Sequence, residues 1–228
     1  MKLTADLVSN SPAFINAIKE YELDLSGNHI SLIENLGATR DLHDSLNLSN
    51  NTIRILGNFP ELSRLHSIYI ADNRVASIEQ SLSASLPNLR TLVLTDNDMA
   101  ELVDLEPLRE LHCLEHLSLV NNPVMFRAHA RLWCVWRLAA SLRVLNFERV
   151  TTKEREEARA LFETTDGEMS ALAKDILAIE ASANTFVPGE GLADNTGETD
   201  LDKQQSIAEL KARIREEMAQ IEAMDEYI

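Results

Sequence analysis

The chain is expected to fold as an α/β solenoid, and three observations carry that expectation. The pattern leucine, one residue, leucine, two residues, asparagine, one residue, aliphatic occurs five times between Leu23 and Val124, with Ile, Val or Met replacing Leu at some positions. Its asparagines, Asn28, Asn51, Asn73, Asn97 and Asn122, lie 23, 22, 24 and 25 residues apart. On both sides of the array this spacing gives way to segments of helical periodicity. A unit of this length cannot bury its apolar face alone, so the units must stack.

The spacing is that of leucine-rich repeats, which predicts a right-handed, curved solenoid with a parallel sheet on its concave side. In each unit a short strand points two aliphatics inward: Leu23 and Leu25, Leu46 and Leu48, Ile68 and Ile70, Leu92 and Leu94, Leu117 and Leu119. The chain must then turn sharply, exposing backbone groups that an inward asparagine amide can satisfy. Aliphatics two and five residues past each of the first four asparagines (Ile30 and Ile33, Ile53 and Leu56, Val75 and Ile78, Met99 and Leu102) cover the convex side. All these positions are structural: burying each such side chain contributes roughly 1.5–3 kcal/mol against chain entropy.

A solenoid exposes its end layers unless they are covered, and five segments follow from that need. Residues 1–20 are expected to form a helical N-terminal cap: Thr4 precedes Ala5 to Val8, and Ser11-Pro12 opens Ala13 to Glu20 with Phe14, Ile15 and Ile18 on one side. Residues 21–124 hold the five repeats. Residues 125–180 form a C-terminal cap, with a helix from His129 to Leu138 and a last strand from Leu142, Val144, Leu145 and Phe147. A closing helix follows from Lys153 to Phe162, N-capped by Thr151 or Thr152. Residues 181–200, rich in Gly, Thr, Asn and acids, read as a disordered acidic linker. In 201–228, Ile207, Leu210, Ile214, Met218 and Ile221 fall at helical spacing, an amphipathic helix suited to docking on another protein.

The formal charge is −16 and is unevenly placed: residues 1–162 hold 16 basic and 21 acidic groups, residues 163–228 hold 5 and 16. Such a surface repels phosphate backbones, so any nucleic-acid role is expected to come through a basic partner. Two cysteines, Cys113 and Cys134, with no signal peptide and no apolar run of membrane length, suit a reduced nuclear or cytosolic compartment and no membrane role. Both are expected to be packed thiols.

The residues between the inward strand positions define the concave surface, and they are the candidate partner-binding site: Glu22, Asp24 and Ser26; Asn47 and Ser49; Tyr69 and Ala71; Val93 and Thr95; His116 and Ser118. Small side chains leave room for a helix, and Tyr69 with Val93 supplies an apolar anchor. The nearest thing to a basic cluster lies at the C-terminal cap, where Arg149, Lys153 and Arg155 are the candidates for proximity to RNA. No glycine-rich phosphate loop, Cys-x-x-Cys pair or nucleophile elbow occurs. His112 and His116 do not share a helix face, so no catalytic residue, cofactor or metal is expected.

Several runs carry a family resemblance: Met1 to Leu7, Tyr21-Glu22-Leu23-Asp24-Leu25, Ile33-Glu34-Asn35-Leu36-Gly37-Ala38-Thr39, Asn121-Asn122-Pro123-Val124, and Leu142 to Phe147 with Lys153-Glu154-Arg155. Together they resemble the A′ family of the spliceosomal U2 small nuclear ribonucleoprotein, over roughly residues 1–180. The resemblance implies a nuclear, non-enzymatic scaffold in pre-mRNA splicing at the branch-site stage. It implies that the concave face binds an RNA-recognition-motif protein of the B″ type and supports its hold on a U2 small nuclear RNA hairpin. Other spliceosomal proteins would be reached through the C-terminal helix. The family's first repeat often carries a basic residue after Leu-Asp-Leu; this chain has Ser26 there, which leaves RNA proximity to the C-terminal cap. The alternative class is a regulatory subunit of a protein phosphatase, which also uses short repeats with a similar cap but usually more of them.

Overall fold

The computed structural model describes residues 2–179; the linker and the amphipathic helix expected over 181–228 lie outside the described residues. In chain order the elements are α1 (Ala5–Asn10), β1 (Ala13–Ile15), β2 (Tyr21–Asp24), β3 (Ser45–Asn47), β4 (Ile55–Leu56), β5 (Ser67–Tyr69), β6 (Ser77–Ile78) and α2 (Leu82–Ser85). They continue with β7 (Thr91–Val93), β8 (His116–Ser118), α3 (Ala130–Arg137), β9 (Val144–Leu145), β10 (Glu148–Arg149), α4 (Thr152–Phe162) and α5 (Ala171–Ala178). Tight helical segments with three residues per turn, at Leu36–Thr39, Leu102–Glu110 and Pro123–Phe126, lie on the return path of the repeats.

The main sheet runs β1-β2-β3-β5-β7-β8-β9-β10. Its six inner strands are parallel, and Leu23, Leu46, Ile68, Leu92, Leu117 and Leu145 stand in one register row across them. These leucines and isoleucines are buried, as are the convex-side aliphatics from Ile30 to Leu102. The core is therefore one continuous stack, as the repeat period requires.

The corner asparagines form a ladder. Asn51 Oδ1 accepts the amides of Asn28 and Ile30 at 3.1 and 2.9 Å, while its Nδ2 donates to the carbonyls of Leu25 and Leu48. Asn73, Asn97 and Asn122 repeat the arrangement one unit further on each time. Asn28 has no repeat before it, and its side-chain Nδ2 donates only within its own turn, to the Ser26 carbonyl. The residue before each corner asparagine adopts a left-handed backbone: Gly27, Asn50, Asp72, Asp96 and Asn121. Glycine, asparagine and aspartate are the types that tolerate this conformation best, so the turn is written into the sequence twice.

The N-terminal cap corrects the expected helix over Ala13 to Glu20. The helix is α1 alone, with Thr4 Oγ1 accepting the Leu7 amide at 3.2 Å. Ala13–Ile15 instead pairs antiparallel with β2, Ala13 opposite Leu23 and Ile15 opposite Tyr21. The outer edge of β2 carries backbone groups that need partners, and a strand supplies them where a helix would not. Asn16 closes the connecting loop, its Oδ1 accepting the amides of Ile18 and Glu20. Phe14, Ile15 and Ile18 are consequently exposed rather than turned to the core.

The C-terminal cap follows its sequence pattern more closely. Thr151 and Glu154 form a reciprocal capping box at the start of α4. Trp133 and Phe162 are fully buried, edge to face at 5.3 Å, and Trp136 stacks on Phe162 at 5.2 Å. Arg137 grips Glu106 through two 2.7 Å hydrogen bonds, joining the cap to the return segment of the last repeat. Two expectations are corrected. Phe147 is not a strand residue but lies in the β9–β10 turn with its ring in solvent. Cys113 is exposed, while Cys134 is buried; burial pushes the Cys134 thiol up to about 12.

Candidate functional site

The concave sheet surface is built by the strand residues whose side chains alternate with the buried row. Asp24, Ser26, Asn47, Ser49, Tyr69, Ala71, Val93 and Thr95 are all half-buried there, and His116 is exposed. Glu22 and Ser118, expected to face solvent, are buried instead. Asn16 Nδ2 donates to Glu22 Oε2 at 2.8 Å from the N-terminal loop, and the Ser118 and Thr95 hydroxyls bond each other at 2.8 Å. Asp24 and Asn47 use their side-chain oxygens to accept the amides of Ser26 and Ser49, which rigidifies the strand ends.

Over strands β5 to β9 of this surface lies a cleft of about 380 Å³ with Tyr69, Val93, His116 and Val144 among its lining. Ile18 and Phe147 also line it, 61% and 75% exposed. Ile18 lies in the loop between β1 and β2 and Phe147 in the turn between β9 and β10, so both end hairpins contribute to the cleft. The β1–β2 and β9–β10 hairpins thus act as raised ends to an apolar floor. Sequence reading missed both residues, because it assigned Ile18 to a helix face and Phe147 to a strand.

The rim near Tyr69 is acidic. Ser67 Oγ donates to Glu20 Oε1 at 3.0 Å, while Glu20 Oε2 is enclosed without a hydrogen-bond partner among the described residues. Burial raises the Tyr69 hydroxyl above its ordinary value, and the nearby carboxylates of Glu20 and Glu22 raise it further. An apolar cleft with the Glu20 carboxylate beside it suits an amphipathic segment carrying basic groups.

At the C-terminal cap the three basic candidates separate. Arg155 reaches back to the carbonyls of Leu142 and Ala140 and is spent on chain reversal. Lys153 pairs with Glu157 one turn along α4 at 3.6 Å. Arg149 is exposed and makes no ion pair among the described residues. The tail positions Ile207, Leu210, Ile214, Met218 and Ile221 lie outside the described residues. Among the described residues no group of three or more His, Cys, Asp or Glu could hold a metal ion, and no helix is long and apolar enough to cross a membrane.

Fold and site define a leucine-rich repeat protein with an apolar cleft on its concave sheet, and the leucine-rich repeat family model matches residues 1–177. The chain is 46% identical over 192 residues to the U2 small nuclear ribonucleoprotein A′ of Aspergillus fumigatus, covering 84% of this chain and 74% of that protein. It is 48% identical to the Arabidopsis thaliana U2 small nuclear ribonucleoprotein A′ over 74% of this chain and 67% of that one, and 43% identical to the Homo sapiens protein over 84% and 73%. A chain in the crystal structure of the Drosophila melanogaster SNF/U2A′ complex superimposes with a TM-score of 0.71 at 40% identity, covering 78% of this chain and 98% of that chain. The protein belongs to the U2 small nuclear ribonucleoprotein A′ family of leucine-rich repeat proteins.

Proposed function

We propose that the protein is a non-enzymatic scaffold that seats an RNA-recognition-motif protein of the B″ type in its concave cleft and so supports that partner's binding to a U2 small nuclear RNA hairpin, in the nucleus, at the branch-site stage of splicing. The observation that carries this reading is the apolar floor of Tyr69, Val93 and Val144 bordered by Ile18 and Phe147, with the carboxylate of Glu20 beside Tyr69 at Ser67. A helix of a small basic domain meets such a floor with its apolar side and the Glu20 carboxylate with its charge, leaving the partner's own sheet free to stack RNA bases. The protein's charge of −16 supports RNA contact mainly through that partner. At the cap, Arg149 and Lys153 are the side chains left to approach RNA held nearby. The SNF/U2A′ pairing of the Drosophila complex supports a protein partner for the shared scaffold. Other spliceosomal proteins are assigned to the segment around Ile207 to Ile221.

The test is purification of the tagged full chain from its own cells at moderate salt, with sequencing of bound RNA and mass spectrometry of bound proteins. Recovery of one small nuclear RNA with an RNA-recognition-motif protein is expected; a phosphatase catalytic subunit without RNA would overturn the reading. Calorimetry with the recovered partner then places the contact. Tyr69→Asp with Val93→Asp puts two charges in a desolvated anchor and is expected to abolish binding while the solenoid stays folded. Unchanged affinity would exclude concave docking.

A further inference from the structure

The β9–β10 turn contains a residue that folding alone does not favour. Leu145 and Glu148 pair across a two-residue turn, and both central residues, Asn146 and Phe147, have left-handed backbones with φ of 53° and 65°. Such turns select Asn or Asp followed by Gly, because the second position penalises a Cβ. Among the described residues every other non-glycine residue with positive φ is polar or charged; Phe147 is the bulky apolar exception. Its ring also recovers nothing from the core, since it is three-quarters exposed. Backbone strain and an unburied aromatic ring both count against the folded state, and strain of this kind concentrates where a ligand is clamped.

The turn is fixed in place. The Asn146 amide donates to the Leu117 carbonyl at 2.9 Å, Asn146 Oδ1 accepts the Leu119 amide at 2.6 Å, and the Val150 amide donates to the Arg143 carbonyl at 2.8 Å. Phe147 is therefore held at the border of the cleft and not left on a loose loop. We propose that Phe147 is an aromatic anchor that closes the C-terminal end of the cleft over an amphipathic, basic helix of the protein partner, and that it is kept there at the expense of turn stability. The occupant follows from the acidic rim beside Tyr69, where Glu20 is bonded by Ser67 through Oε1 and its Oε2 has no hydrogen-bond partner among the described residues. The assignment rests on concave docking as proposed above.

The experiment measures two quantities on Phe147→Gly in the full chain: the melting temperature alone, and affinity for the RNA-recognition-motif protein recovered in the purification above. Glycine relieves the strain and removes the ring, so the two should part: Tm unchanged or raised, affinity lowered at least ten-fold. Phe147→Trp should keep affinity within about three-fold, since the ring is preserved. Affinity of the glycine variant within two-fold of the parent would overturn the anchor, and a lowered Tm would overturn the strain. If Tyr69→Asp with Val93→Asp abolishes binding while Phe147→Gly does not, the anchor alone fails; if neither changes binding, concave docking itself fails.

Discussion

The amide of Val75 donates to Oδ1 of Asn97 at 2.9 Å, across 22 residues of sequence, while Asn97 Nδ2 donates back to the carbonyls of Ile70 and Leu94. One buried side chain thus joins two successive repeats through both its donor and its acceptor atoms.

Removing that amide should weaken the array from its middle. Asn97→Ala leaves the Val75 amide enclosed without this partner, at a cost of roughly 1–3 kcal/mol, and takes one hydrogen bond each from the Ile70 and Leu94 carbonyls, which keep those from Asn73 and Asn122. A loss of about 3 kcal/mol in denaturant unfolding is expected, whereas Asn28→Ala, which removes a side-chain Nδ2 that donates only within its own turn, should lose under about 1 kcal/mol. Equal losses at the two sites would contradict the ladder.

Stability should also fall in mild acid, and His43 should account for part of the fall. Its ring stacks on Tyr21 at 4.9 Å, and Nδ1 is buried without a hydrogen-bond partner among the described residues. Burial, with the Arg64 charge adding to it, lowers its pKa from the ordinary 6.5. The unfolded chain therefore binds the proton first: the contribution is fully present above pH 6.5 and is lost as pH falls through that value towards the folded pKa. Asp44 acts in a separate, lower window, because the hydrogen bond from Arg64 lowers its pKa below 3.8. A His43→Phe variant should keep the stack and show a flatter melting-temperature profile between pH 7.5 and 5.5. Parallel profiles for parent and variant would assign the acid sensitivity elsewhere.

The two thiols should react at different rates. Cys113 is exposed, and Cys134 is enclosed with its pKa pushed up to about 12, so almost none of it is thiolate near neutral pH. A disulfide reagent at pH 8 should titrate one thiol quickly in the folded protein and both in denaturant. Cys113→Ser should abolish the fast phase.

Most of the repeat architecture is legible in the sequence because each feature rests on a local chemical demand. The corner asparagines are spaced by the repeat, and the left-handed residue before each is Gly, Asn or Asp, a second signal that the asparagine spacing alone does not use. Where the chain departs from expectation, a non-local demand wins. Phe14, Ile15 and Ile18 have helix-like spacing, yet the unsatisfied edge of β2 draws Ala13–Ile15 into the sheet. Leu142, Val144, Leu145 and Phe147 suggest one continuing strand, but the chain reverses at Asn146, whose side chain is held by the Leu119 amide. Glu22 looks like a free concave carboxylate until Asn16 covers it, and Arg155 looks available until the Leu142 carbonyl takes it. The row of concave positions could be written down from the alternation of strand residues. The raised ends of the cleft could not, since each is made where a cap meets the array.

The antiparallel strands β1 and β10 at the two ends of the parallel sheet make repeat number a gauge. A unit can be added or removed only between them, since each end is already paired with a strand of the opposite sense. Neighbouring strands lie about 4.8 Å apart, so the distance from the first hairpin to the last can change only in steps of that size. An α-helix with its side chains is about 10–12 Å across, and one added step would be a large fraction of that width. Changing the count by one would therefore alter which partners the molecule can grip more abruptly than any single substitution on its floor.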